Sequence, residues 1–279
     1  MKQLVDLHLH STASDGQYTP AELMTKVKEA GITRCALTDH DTIAGVQEAR
    51  VACESLGIEF VAGIEISTKE DVEQHILGYN IDETNEELIA SCEFFKNERT
   101  KRAKKIYQYL HDNGVDLELG SVERIAGSDN LGRPHFAQAM YEQGYVSNVR
   151  EAFDKYLATP EFEKNNFRKY CTYKEAIELI HKAGGIAVLA HPGSTKKKSL
   201  EQMAKRIEEL VGYGLDGIEC YYSTHDREQT LFYLNQAELY DLEVTIGSDY
   251  HGEKIKPHIE LGHTKEYMFD TNYWENKND

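Results

Sequence analysis

The sequence predicts an α/β fold in which seven strands close into a β/α barrel, with an all-helical segment inserted between strands four and five. Three observations carry this. Seven short apolar runs alternate with helix-patterned segments, the rhythm of a parallel sheet. His, Asp and Glu residues recur within or at the ends of those runs, and the C-terminal ends of barrel strands share one mouth. An open doubly wound sheet, the alternative, would more naturally carry one Gly-rich phosphate loop, and neither GxGxxG nor a Walker-type run occurs.

The first strand holds Val5, Leu7 and Leu9 alternating with Asp6, His8 and His10, which puts the two imidazoles on one face. Asp15 follows on a Ser/Thr/Asp/Gly loop. Pro20 opens a short helix that Gly31 ends. Strand two, RCALTDH, delivers His40 between Asp39 and Asp41, either of which could orient its ring or cap the strand end. A helix closed by Gly57 leads to strand three, IEFVAGIEIS. There Glu65 sits among Val61, Ile64 and Ile66, where a carboxylate must be paired or bound. A short turn gives strand four, HILGYNI, with His75 at its start.

From Glu86 onward no strand-like run appears until Gly185. The segment divides the chain into a first barrel part (1–85), a helical insertion or cap (86–170) and a second barrel part (171–279). Leaving after strand four and returning before strand five, both its ends are expected at the mouth. GRPHF places Arg133 and His135 at a Pro-started helix N-terminus, a site that favours anions. The basic stretches Arg99–Lys105 and Lys196–Lys198 are expected to be solvated faces. The insertion's tyrosines, Tyr107, Tyr109, Tyr141, Tyr145 and Tyr156, are expected mostly in core or interface. Strand five ends in His191, strand six precedes His225, a candidate substrate contact, and strand seven runs into Asp249 and His251, mirroring the His8/His10 pair. His111, His181, His258 and His263 read as surface or loop residues.

A net charge of −17 disfavours long duplex DNA and anionic membrane, though not an anionic substrate, because divalent metals reverse the sign locally. Five scattered cysteines without CxxC spacing fit reduced thiols rather than disulfides or a thiolate zinc site. With no leader pattern and no membrane-length apolar run, the expected location is cytoplasmic.

HLHSTASDG, LTDHDT, GIEIS, HILGY, LAHPG and GSDYHG together resemble the PHP (polymerase and histidinol phosphatase) superfamily, from residue 3 to about 264. The insertion with NLGRPHFAQAM, and GLDGIECYYSTH, is similar to one subgroup, phosphoesterases that hydrolyse nucleoside 3′,5′-bisphosphates or trim the 5′ ends of short RNA. The resemblance implies a distorted seven-stranded, TIM-like barrel with two or three divalent ions (Mn²⁺, Fe²⁺ or Zn²⁺) at its mouth. By motif, His8, His10, Glu65 and Asp249 would hold one ion, and Glu65 would bridge to a second held by His75 and His191. Asp15, His40 and His251 would hold a third. Asp15, His40, Arg133 and His135 would form the catalytic set, with Arg133, His135 and His225 on substrate. The expected reaction is in-line hydrolysis of a phosphate ester by hydroxide generated at the ions. A histidinol-phosphate-type phosphatase and a non-catalytic PHP module are the alternatives. The chain departs from the subgroup after Gly193 and at 159–170, both at the substrate edge; oligomeric state is left open.

Overall fold

A computed structural model describes residues 4–70, 73–126, 131–165, 169–194 and 198–262. His263, most of the lysine run after Ser194 and part of the 159–170 departure lie outside these residues.

Seven strands follow one another around the sheet in chain order: β1 (Val5–Asp6), β2 (Arg34–Leu37), β3 (Glu59–Lys69), β4 (Glu73–Tyr79), β5 (Ile186–Leu189), β6 (Gly217–Tyr222) and β7 (Glu243–Gly247). The ends meet, because Leu7 N donates to Ile246 O at 2.9 Å and Leu9 bridges to Tyr250. Val5, Leu7, Ala36, Val61, Leu77, Val188 and Ile246 fill the interior. Helices α1 (Pro20–Glu29) and α2 (Val46–Leu56) cover one side; α8 (Tyr173–Lys182), α9 (Leu200–Gly212) and α10 (Arg227–Tyr240) cover the other. Their starts are written in the sequence: Thr19/Glu22, Thr172/Glu175, Ser199/Gln202 and Asp226/Gln229 each form a reciprocal cap. No helix among the described residues is long and apolar enough to cross a membrane.

The barrel differs from the expected parallel sheet at β4, which runs antiparallel to both β3 and β5. The chain between β3 and β4 is too short for a crossover helix, so only a hairpin-like return is possible. His75 consequently reaches the mouth from the beginning of its strand, opposite Ser67. The paired part of β1 is also shorter than expected, ending at Asp6. Beyond it, side chains take the backbone donors: Thr38 Oγ1 accepts from Leu9 N and Asp39 Oδ1 from Ser11 N.

Because β4 descends, the insertion leaves from the end of the barrel opposite the mouth, contrary to the sequence expectation. It begins with α3 (Glu86–Asp112), capped by Asn85, whose amide also donates to Lys182 O at the foot of α8. Twenty-seven residues of helix, about 40 Å at 1.5 Å per residue, carry the chain back up the barrel wall. At the top lie α4 (Leu119–Ala126), α5 (Arg133–Glu142), α6 (Val149–Ala152) with its π-helical continuation Phe153–Leu157, and α7 (Pro160–Lys164). They share a separate core containing Ile106, Val122, Phe136, Met140 and Leu157. The return does reach the mouth, where Cys171 bridges to Thr68 at the end of β3, and α8 then descends to β5.

Candidate metal centre

The nine His, Asp and Glu side chains singled out in the sequence converge at the mouth. Glu65, fully buried on β3, is their centre. Its Oε2 faces His8 Nε2 (3.2 Å), His10 Nε2 (3.1 Å) and His40 Nδ1 (3.0 Å). Its Oε1 faces His75 Nδ1 (2.7 Å) and His191 Nε2 (2.9 Å). Asp249 Oδ1 approaches His10 Nε2 at 3.3 Å and His8 Nε2 at 3.7 Å, and Asp15 Oδ1 approaches His251 Nε2 at 3.2 Å. Ligand atoms fall in overlapping groups, each within 4.8 Å: His10/Asp15/His40/His251, His8/Glu65/His191, His8/His10/Asp249 and His40/Glu65/His75. Asp249 and His191 hold positive φ (59° and 29°), so the chain turns sharply where two strands end in ligand candidates.

This donor set fits divalent cations. His8 Nε2, His10 Nε2 and Glu65 Oε2 are buried and make no well-angled hydrogen bond, although they crowd one point. Leaving such groups unsatisfied costs about 1–3 kcal/mol each, more when charged, a cost that a shared cation removes. Imidazole and carboxylate without thiolate suit first-row divalent ions.

The clustered carboxylates shift the imidazoles around them. Burial disfavours an imidazolium at His8, yet Glu219, Glu65 and Asp249 hold its pKa well above the ordinary value. Burial acts likewise on His10, but Asp249 and Glu65 raise it to about 9. Glu65 lies well below the carboxylate range: burial opposes ionisation, and His40, His75 and His8 overcome it. Burial pushes His40 itself down to about 4. Ligation requires neutral imidazoles, so loading at pH 7.5 is expected to release protons, with His10 a source and His8 shifted in the same direction, and affinity should climb as pH rises toward 9. Calorimetry in buffers of different ionisation enthalpy measures this. Proton-neutral binding would contradict it.

The supporting contacts include residues that the sequence reading missed. Glu219, fully buried on β6, meets His8 Nδ1 at 2.8 Å and accepts from His191 N at 2.7 Å, fixing one ring and one backbone. Gly247 makes room for that pair, since a Cβ there would lie 2.1 Å from His8 Cβ and 2.6 Å from Glu219 Oε1. Tyr222 OH and Lys256 Nζ both donate to Asp249 Oδ2, leaving Oδ1 toward the histidines. Asp39 accepts from Ser11 and Ser14, bracing the loop that presents Asp15. Asp41 takes Ser67 N and the guanidinium of Arg99, which is 2.7 Å away.

Arg99 corrects a second expectation. It and Arg102 are 4% and 5% exposed rather than solvated, and with Arg133 they line a pocket of about 140 Å³ facing Asp15, His40, His75 and His251. Within Arg99–Lys105, Lys101 and Lys104 do face solvent; α3 packs its arginine face on the mouth and leaves its lysines out.

His135 and His225, the expected substrate contacts, both engage backbone groups at the mouth. His135 is buried, its Nδ1 accepts from Gly132 N at 3.1 Å, and burial lowers its pKa to about 4, so it caps its own helix as a neutral ring. His225 spends both nitrogens on backbone: Nδ1 donates to Cys220 O and Nε2 accepts from Gly193 N, each at 3.0 Å. It ties the loop after β6 to the loop after β5. Of the insertion's tyrosines, Tyr107, Tyr109 and Tyr156 pack against the cap's core, whereas Tyr141 and Tyr145 are 48% and 38% exposed. His111 and His181 lie on the surface paired with Asp116 and Asp216, as expected.

Comparison with known proteins bears on what such a mouth does. The PHP domain family model matches residues 6–223. The 5′-3′ exoribonuclease Rnm of Escherichia coli is 35% identical over 269 residues, covering 93% of this chain and 88% of that protein. The 3′,5′-nucleoside bisphosphate phosphatase of Chromobacterium violaceum is 31% identical over 268 residues, covering 94% and 92%. Among solved structures, a metal-dependent phosphoesterase from Bifidobacterium adolescentis superposes with a TM-score of 0.85 at 30% identity, covering 98% of this chain and 95% of that one. Similarity over nearly the whole length, on a chain that keeps nine metal-type side chains together, makes this protein a member of the PHP domain family and a metal-dependent phosphoesterase.

Proposed function

We propose that the enzyme hydrolyses phosphate esters of nucleotides, either nucleoside 3′,5′-bisphosphates or the 5′ ends of short RNA. The observation that carries this is one small pocket lined both by four members of the metal-type cluster, Asp15, His40, His75 and His251, and by three arginines. A pocket of about 140 Å³ is of a size for phosphate groups, below the ~300 Å³ at which sites enclosing a whole small molecule begin. The names of the relatives from Escherichia coli and Chromobacterium violaceum support the nucleotide class.

His8, His10, Glu65 and Asp249 would hold one Mn²⁺, Fe²⁺ or Zn²⁺ ion, Glu65, His75 and His191 a second, and Asp15, His40 and His251 a third. Divalent ions bound there lower the pKa of water and neutralise charge on phosphoryl oxygens. The opposed faces of Glu65 support a bridging role, since each oxygen addresses its own group of imidazoles. Asp15 and His40 flank the pocket, within reach of the reacting phosphoryl group. Arg133 grips a phosphate with its forked guanidinium, and Arg99, tied to Asp41 and Ser67, adds fixed positive charge beside it. Free thiols at all five cysteines suit a reducing, cytoplasmic setting.

A substrate panel tests this. With Mn²⁺ supplied, adenosine 3′,5′-bisphosphate or a 5′-phosphorylated oligoribonucleotide is expected to exceed histidinol phosphate and p-nitrophenyl phosphate in kcat/KM by about 100-fold or more, the scale of one added charge-assisted phosphate contact. Preference for histidinol phosphate would overturn the nucleotide assignment.

A further inference from the structure

The phosphate pocket is too small for a nucleoside, so the rest of any nucleotide must lie outside it. A groove of about 1040 Å³ adjoins it, sharing Phe153 and Lys256 as common walls. One side of this groove is formed by the cap, through Tyr141 on α5, Arg150 on α6 and Phe153. The other is the loop after β7, through Lys254 and Lys256.

We propose that this groove binds the nucleotides that follow the reacting one in a short single-stranded RNA, so that the enzyme selects for chain length. The inference rests on the nucleotide reading above and adds where the chain runs. Size argues for it: about 1040 Å³ exceeds the ~300–1,000 Å³ of pockets that enclose one small molecule. Its lining argues for it as well. Tyr141 offers a ring 48% exposed, where among the described residues only Phe94 and Tyr145 are other exposed aromatics, and Phe153 stands where groove and pocket meet. Such rings stack on bases without regard to sequence. Three cationic side chains, Arg150, Lys254 and Lys256, line the same groove on a chain of net charge −17; the one carboxylate of the lining, Asp154, lies 3.8 Å from Arg150, and Lys256 also donates to Asp249 at the cluster, so Lys254 and Arg150 present the positive charge along the groove. A sugar–phosphate backbone complements that wall, whereas most of the remaining surface repels it. Duplex is disfavoured, because bases stacked within a helix present no free face to the rings.

Tyr141 and Lys254 line the groove and not the phosphate pocket, and both are exposed, so their replacement tests the groove without touching the reaction centre. The experiment compares wild type with the Tyr141→Ala/Lys254→Glu double variant. The probes are adenosine 3′,5′-bisphosphate and 5′-phosphorylated RNA of two, three and five nucleotides. Affinity is read by calorimetry on metal-free protein, and kcat/KM on Mn²⁺-loaded protein. For wild type, both quantities are expected to improve about 10-fold or more between the bisphosphate and the trinucleotide, the scale of one or two stacked bases. The double variant should lose that gain while changing less than about threefold on the bisphosphate. If wild type handles all lengths alike, or if the variant loses equally on both substrates, the groove is not an RNA track, and the phosphoesterase remains a nucleotide enzyme. If wild type acts on p-nitrophenyl phosphate but on neither the bisphosphate nor RNA, the nucleotide reading itself fails and the groove assignment falls with it.

Discussion

Replacing Glu65 by Gln is expected to abolish turnover, by at least about 10³-fold or ~4 kcal/mol of lost charge stabilisation, while the barrel stays folded. The substitution preserves volume at a fully buried position, so packing among Ile64, Ile66 and Ile76 is undisturbed. What it removes is the negative charge toward which five imidazoles point, with Oε1 and Oε2 serving separate groups. An amide has one acceptor oxygen and cannot face both groups as an anion. Bound metal, counted by plasma mass spectrometry, should fall by at least one ion per chain, and far-ultraviolet circular dichroism should match wild type. Wild-type turnover at full metal content would refute the central place given to this residue.

How much of this was legible in the sequence differs from residue to residue. His8 and His10 announce themselves because period-two alternation fixes their common face, and Glu65 because an apolar run is no place for an unpaired carboxylate. The same argument applies to Glu219, between Ile218 and Cys220, which is the partner of His8. Strand direction was harder. Apolar runs look alike in either direction, so the descent of β4, and with it the origin of the insertion beneath the barrel, depends on the shortness of one turn. Arg99 and Arg102 left no local mark at all. A helix crowded with Lys, Arg and Glu looks solvated, and only the path of α3 past the mouth turns two of its arginines inward. His135 and His225 carry a different lesson: their neighbourhood was foreseen, but an imidazole near a site also serves to satisfy backbone groups, and here both do.

Arg133→Ala is expected to separate binding of the second phosphate from the reaction itself. Arg133 begins α5 at the rim of the pocket, across from Asp15 and His251, where its guanidinium can fork onto a phosphate not held by the cluster. Gly132 beside it lies so near Asp15 that a Cβ would stand 3.2 Å from Oδ2, which ties the arginine's helix closely to the mouth. Removing the side chain should lower kcat/KM for a nucleoside 3′,5′-bisphosphate by about 10- to 1,000-fold, the equivalent of ~1.4–4 kcal/mol of charge-assisted bonding. Turnover of p-nitrophenyl phosphate, which offers one phosphate only, should fall far less. Arg99 and Arg102 keep the pocket positive in the variant, so part of the affinity should persist and the loss should show chiefly in KM. An equal loss on both substrates, carried by kcat, would place Arg133 at the reaction centre instead and end the two-phosphate account of selectivity.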